Sequence, residues 1–189
     1  MPTMEFCRQL DAVPQELAMR LLFPLLALPH FLYAFIWFNP KAWTSMFGKR
    51  SVGAFAVCGA LGKVIQFGAV VLWLWSARAS GLCFDLKQIS LPQFLGAVLL
   101  GAFGQQLNIG IFKAIGTAGV YYGFKLGAKV PWVEGYPFNV VPHPQYVGSV
   151  ATIWAAAILV LGQLPHGWWV VPAFWMCLYI VSAVQEDNL

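Results

Sequence analysis

Five apolar runs constrain this chain more than anything else in it: Leu21 to Phe38, Val52 to Trp75, Leu91 to about Ile115, Val147 to Gly162, and Trp168 to Val184. A helix crossing a ~30 Å hydrocarbon core needs roughly 20 residues, against which the last two runs are slightly short. Charged residues make up only 10% of the 189, whereas soluble domains carry about 25%. So few charges cannot cover a water-facing surface. The pattern predicts an all-α, polytopic integral membrane bundle of four to five apolar helices, forming a single domain over residues 1-189. The last two runs are separated only by Gln163-Leu164-Pro165-His166-Gly167, a turn-forming stretch that predicts an antiparallel hairpin. Trp168, Trp169 and Trp175, with Trp154 on the partner helix, would serve as interfacial anchors or bundle packing.

Charge and cysteine usage narrow the function classes. The formal charge of +4 is dispersed, with no basic run long enough to track a nucleic-acid backbone, so no nucleic-acid partner is expected. Cys7, Cys58, Cys83 and Cys177 stand alone without metal-ligand spacing, and no metal site is expected. Met1 to Glu16 carries Glu5, Asp11 and Glu16, unlike a cleaved signal or a mitochondrial transit peptide, so the first span is expected to be retained.

Within the runs, several groups are out of place in lipid. Pro24, Pro29 and His30 interrupt the first run, leaving open whether it crosses fully, and Lys63 sits in the second. His30 is expected to face the bundle and Lys63 to snorkel to the interface. The third run turns polar at Gln105, Gln106, Asn108 and Lys113, and Gly96, Gly101, Gly104 and Gly110 recur along it. Small residues in a membrane helix permit close helix packing. Gly116, Gly119, Gly123 and Gly127 continue beyond Ile115, beside paired tyrosines and lysines, in a stretch less like a span. There a glycine can let the backbone approach a ligand.

The densest polar cluster is Pro137-Phe138-Asn139-Val140-Val141-Pro142-His143-Pro144-Gln145-Tyr146-Val147-Gly148, directly before the fourth run. Polar groups at a membrane boundary are costly unless satisfied, which marks a functional site; the prolines also suit a plain helix break. Basic residues set the orientation. With Lys41, Lys49, Arg50, Lys113, Lys125 and Lys129 on the cytosolic side, the opposite side holds Arg8, Arg20, Arg78 and Lys87. The hairpin then returns Gln185-Glu186-Asp187 to the cytosolic face that carries His143. Either these acids form an exposed tail, or they fold back on the His143 to Gly148 turn and hold the ammonium or hydroxyls of a polar cofactor.

Gly119-Val120-Tyr121-Tyr122-Gly123, Pro131-Trp132-Val133, Tyr136-Pro137-Phe138 and His143-Pro144-Gln145-Tyr146-Val147-Gly148 resemble the phospholipid N-methyltransferases. The likeness is to the small plant or algal type, related to phosphatidylethanolamine N-methyltransferase. It runs from about Gly101 to Asp187, and Asn39-Pro40-Lys41-Ala42-Trp43 fits as well. The short H-P-x-Y-x-G element alone is also shared with isoprenylcysteine carboxyl methyltransferases and some sterol reductases.

The resemblance implies an S-adenosylmethionine-dependent enzyme of the endoplasmic reticulum or a related membrane, multi-pass and with its active site facing the cytosol. It further implies methylation of ethanolamine phospholipids, phosphatidylethanolamine or its mono- and dimethyl derivatives, towards phosphatidylcholine. The family's G-x-G motif falls on Ala102-Phe103-Gly104, with alanine for the first glycine, and its acidic pair falls on Glu186-Asp187. Tyr122, Gly123, His143, Pro144, Tyr146 and Gly148 complete the implied cofactor set.

Methyl transfer from a sulfonium to an amine is an in-line displacement, so positioning dominates and no enzyme nucleophile is needed. The lipid amine must lose a proton before attack, and burial or a nearby base can remove it; Glu186 and His143 are the candidates. Aromatic rings attract sulfonium and methylated ammonium groups, each contact worth roughly 0.5–2 kcal/mol. Tyr136 and Phe138 are therefore expected at the acceptor, and Lys125 and Lys129 at its phosphate or at anionic headgroups generally. Two alternatives compete: an isoprenylcysteine carboxyl methyltransferase-like enzyme, whose anionic acceptor needs no base, and a small membrane transport or scaffold protein. The tyrosine-rich stretch from Tyr121 to Phe138 favours the phospholipid reading over the first, and polar residues gathered at one face oppose the second.

Overall fold

The computed structural model describes residues 15–77 and 85–187. Glu5, Cys7, Arg8, Asp11, Arg78 and Cys83 lie outside the described residues. The described chain forms α1 (Gln15–Phe38), α2 (Pro40–Phe47), α3 (Ser51–Ala77), α4 (Leu91–Val120), α5 (Pro144–Leu159) and α6 (Val170–Asp187). Short 3₁₀ turns occupy Gly48–Arg50, Leu86–Gln88 and Leu161–Gln163, and no strand occurs among the described residues. Glu16–Phe38, Pro40–Ser76 and Leu91–Val120 are long and apolar enough to cross a membrane, and Pro144–Leu159 is a shorter apolar helix. At a rise of 1.5 Å per residue, α5 and α6 extend about 24 and 27 Å. The architecture is the expected polytopic helical bundle.

The outer surface is apolar, as lipid demands. Phe31, Val64 and Leu99 are each more than two-thirds exposed. Polar groups turn inward instead. Pro24 and Pro29 both lie inside α1, which remains one helix. A membrane proline is tolerated where neighbours take up the freed backbone groups, and the buried Gln66 amide donates to the Leu26 carbonyl at 2.7 Å. Gly62 makes room for the Pro29 ring, since a Cβ there would lie 2.8 Å from Pro29 Cγ.

α1 packs on α3 and α6, while α5 packs on α4 and α6; α3 and α4 barely touch. One core gathers Leu22, Leu26, Trp73, Val171, Trp175 and Tyr179. The other gathers Ile36, Trp37, Trp43, Phe55 and Tyr122 near the α2 end. Gly104 and Gly148 bring α4 and α5 together. A Cβ on Gly104 would stand 2.6 Å from the Gly148 carbonyl, and one on Gly148 2.6 Å from the Gly104 carbonyl. The hairpin is antiparallel: Trp154 meets Trp168 at one end, edge to face at 6.2 Å, and Tyr146 bonds Glu186 at the other.

One expectation changes. Lys63 does not snorkel. Its ammonium donates inward to the Tyr179 hydroxyl and to Gln66 Oε1, because hydroxyl and amide oxygens inside the bundle solvate it. The third run ends its regular helix at Ile115 as expected: α4 reaches Val120 only across a break at Gly116, φ 63, ψ −177, a region open essentially to glycine alone. His30 faces the bundle as expected, 3.2 Å from Ser182 Oγ and edge-on to Tyr179.

Candidate active site

The break at Gly116 and the end of α4 redirect the chain so that Tyr122 reaches the terminus of α6. Among the described residues, Tyr122 (φ 52) and His143 (φ 46) are the non-glycine residues with positive φ. An L-residue there costs roughly 1–2 kcal/mol, and such strain gathers where the surrounding structure holds a functional group in place. Pro144 follows as the first helical residue of α5, fully buried; its fixed φ suits that position.

These turns converge on Glu186. Its Oε1 accepts from the Tyr122 hydroxyl at 2.5 Å and also from the Tyr146 hydroxyl; the two hydroxyls are 3.3 Å apart. Its Oε2 lies 3.6 Å from His143 Nδ1, and His143 Nε2 lies 2.9 Å from Asp187 Oδ1. The His143 ring stacks on Tyr146, 5.7 Å between centroids and 3° from parallel. A neutral imidazole donates to only one carboxylate and an imidazolium to both, and the contact of hydrogen-bond length here is the one to Asp187.

Glu186 lies past the apolar run of α6, which ends at Val184. Burial raises its carboxyl above the ordinary 4.5, while the bonds from Tyr122 and Tyr146 and the charge of His143 pull the other way. Burial and then the Glu186 charge push the Tyr122 phenol far up, so it remains a proton donor. Asp187 differs, with its side chain 69% exposed.

A cavity of about 270 Å³ opens beside this cluster, lined by Trp37, Gly119, Tyr122, Phe138, His143 and Glu186 among others. A second, of about 460 Å³, lies between α3, α4, α5 and α6. Gln145 lines both.

The structure thus brings together Tyr122, Phe138, His143, Pro144, Tyr146, Glu186 and Asp187. Gly123 is buried in the turn after α4, its amide bonded to the Ala118 carbonyl at 2.6 Å. Gly148 and Gly104 stand at the α4–α5 crossing. Ala102 and Phe103 are exposed on α4, outside the cluster. Lys125 holds its ammonium 3.6 Å over the Trp37 ring and donates to the Trp37 carbonyl. Lys129 is exposed. Tyr136 is half-exposed, its hydroxyl donating to the Gln106 carbonyl at 2.8 Å and its ring packed on Gly110.

Sequence reasoning missed Trp37, Gln145 and Tyr179. A signal for the last existed: Trp175, Tyr179, Ser182 and Glu186 recur at helical spacing on one face of α6. Trp37 carried none, because its partners are remote in sequence.

Residues 92–189 match the model of the phospholipid methyltransferase family. The chain belongs to that family. It is also 33% identical to the phosphatidyl-N-methylethanolamine N-methyltransferase of Arabidopsis thaliana over 128 residues, 68% of this chain and 71% of the relative. No solved structure matches. As a phospholipid methyltransferase, the chain is an enzyme of membrane lipid synthesis, which sets aside the transport or scaffold reading and the prenylated acceptor. The family match takes in α4 to α6 and so contains Tyr122, His143, Tyr146 and Glu186.

Proposed function

We propose that the whole chain is one methyltransferase domain that uses S-adenosylmethionine to N-methylate an ethanolamine phospholipid already carrying one or two methyl groups, towards phosphatidylcholine. The observation that carries the cofactor assignment is Glu186, a largely buried carboxylate on a cavity walled by Trp37, Tyr122 and Phe138. Its Oε1 is taken by two tyrosines, whereas Oε2 has only the longer 3.6 Å contact with His143 Nδ1 and can take a cationic group. A buried acid with aromatic neighbours suits a ligand bearing both an ammonium and a sulfonium. The relative's name supports a methylated acceptor.

S-adenosylmethionine would supply an electrophilic methyl group. Glu186 Oε2 would hold the cofactor's ammonium, and Tyr122 and Tyr146 would keep that carboxylate fixed. Phe138 and Trp37 would exclude water, and Gly123, Pro144 and Gly148 would shape the backbone around the cavity. Ala102-Phe103-Gly104 would set the α4 wall through the Gly104 crossing. Asp187 would orient His143. With Glu186 Oε2 on the cofactor's ammonium, His143 Nδ1 would accept the acceptor's proton. Lys125, Lys129 and Tyr136 would meet headgroups at the surface. The resemblance implies the endoplasmic reticulum, and an orientation with the site towards the cytosol is supported by Lys49 and Arg50, which border α2 at the end of the bundle that holds Tyr122. Purified enzyme with methyl-labelled S-adenosylmethionine is expected to label phosphatidyl-N-methylethanolamine. Folded protein that labels no ethanolamine phospholipid would overturn the assignment.

A further inference from the structure

We propose that the 460 Å³ cavity between α3, α4, α5 and α6 is the acceptor pocket, and that Lys63 anchors the lipid phosphate within it. The inference rests on the phospholipid methyltransferase reading for the class of occupant. The cavity walls are mostly apolar, with Phe67, Trp73, Ile153 and Trp168 among them. α3 and α4 hardly touch along it, so an acyl chain can pass between them from the bilayer.

Lys63 is the feature the established activity leaves unused. It lines the cavity from the middle of a membrane-spanning helix. Among the described residues, no carboxylate lies within 4 Å of its ammonium. Its hydrogen-bond partners are the Tyr179 hydroxyl and Gln66 Oε1, neither of them a carboxylate, and its ammonium rests 5.0 Å from the Tyr179 ring centroid and 5.8 Å from that of Trp175. Two acceptors leave one of the three ammonium N–H groups uncommitted. A cation kept inside a bilayer without a counter-anion is expensive, and a lipid phosphate supplies that anion.

The position also orients the headgroup. Lys63 attracts the phosphate and repels the acceptor's amine when protonated, so the amine points away from it. Gln145 lines both this cavity and the 270 Å³ cavity that Glu186 borders. Both ends of the substrate are thereby recognised: an apolar cavity for the tails and a single cation for the phosphate.

Native mass spectrometry of the detergent-purified chain tests this without turnover. Dioleoyl phosphatidyl-N-methylethanolamine is compared with dioleoylglycerol, which has the same tails and no phosphate. The wild type is expected to retain the phospholipid at least tenfold better, Lys63→Gln to lose that preference, and Lys63→Arg to restore it, in line with a charge-assisted bond. No preference in the wild type, or an undiminished preference in Lys63→Gln, overturns the proposal. In turnover assays, Lys63→Gln is expected to raise the lipid KM about tenfold or more while leaving S-adenosylmethionine affinity unchanged. An unchanged KM in an active enzyme removes the anchor and leaves the methyltransferase reading intact. Charge-dependent lipid retention by a protein without transferase activity would do the reverse.

Discussion

Replacing Glu186 with glutamine removes one negative charge from the cavity beside Tyr122 while leaving an oxygen where two tyrosine hydroxyls donate. The substitution therefore separates charge from shape. The amide oxygen can keep accepting from Tyr122 and Tyr146, so the α6 terminus stays docked; what is lost is the ionised Oε2, 3.6 Å from His143 Nδ1. The side chain is only 18% exposed, so solvent screens it weakly and the charge counts. A hydrogen bond to a charged group is worth about 1.5–3 kcal/mol net. With tenfold in affinity per 1.4 kcal/mol, the Kd for S-adenosylmethionine should weaken roughly 10- to 150-fold. Asp187→Asn is the control: an exposed pair contributes about 0.2–1 kcal/mol, so its Kd should change less than about fivefold. Isothermal titration in detergent measures both, with thermal unfolding as the check that each variant is folded. A folded Glu186→Gln protein that binds within twofold of wild type would refute the ammonium-holding role.

The same carboxylate sets a pH dependence. Because burial raises its pKa above 4.5, Glu186 is neutral below that raised value and charged above it, so cofactor affinity should fall on acidification already above pH 4.5, and Glu186→Gln should abolish that acid limb in titrations at several pH values. At the helix crossing, a Cβ on Gly104 would meet backbone, 2.6 Å from the Gly148 carbonyl; Gly104→Ala should destabilise the bundle by about 1–3 kcal/mol through overpacking, seen as a lowered thermal midpoint, and an unchanged midpoint would show that α4 and α5 can separate freely.

Legibility followed the range of the interactions. The five apolar runs could be read directly because lipid filters segments by local composition, and helices are the open-ended structures that satisfy their own backbone there. The Gly116 break was legible as a change of character after Ile115, since glycine tolerates backbone that other residues do not. The meeting of His143 with the acidic pair was legible as topology: a hairpin between them must return the chain to the same face. Lys63 was misjudged for a definite reason. Whether a long cationic side chain snorkels or turns inward depends on acceptors that the opposing helices offer, and Tyr179 lies 116 residues away.

The sequence by itself determined that this chain lives in a membrane, where its helices fall, and which polar residues had to be explained, because hydropathy and turn chemistry act over a few residues. Tertiary structure alone decided that Glu186 shares its oxygen between Tyr122 and Tyr146, that Trp37 walls the cavity, and that Lys63 faces an apolar chamber. Those contacts join helices distant in sequence, and their geometry is set by packing across the bundle, as at the Gly104–Gly148 crossing.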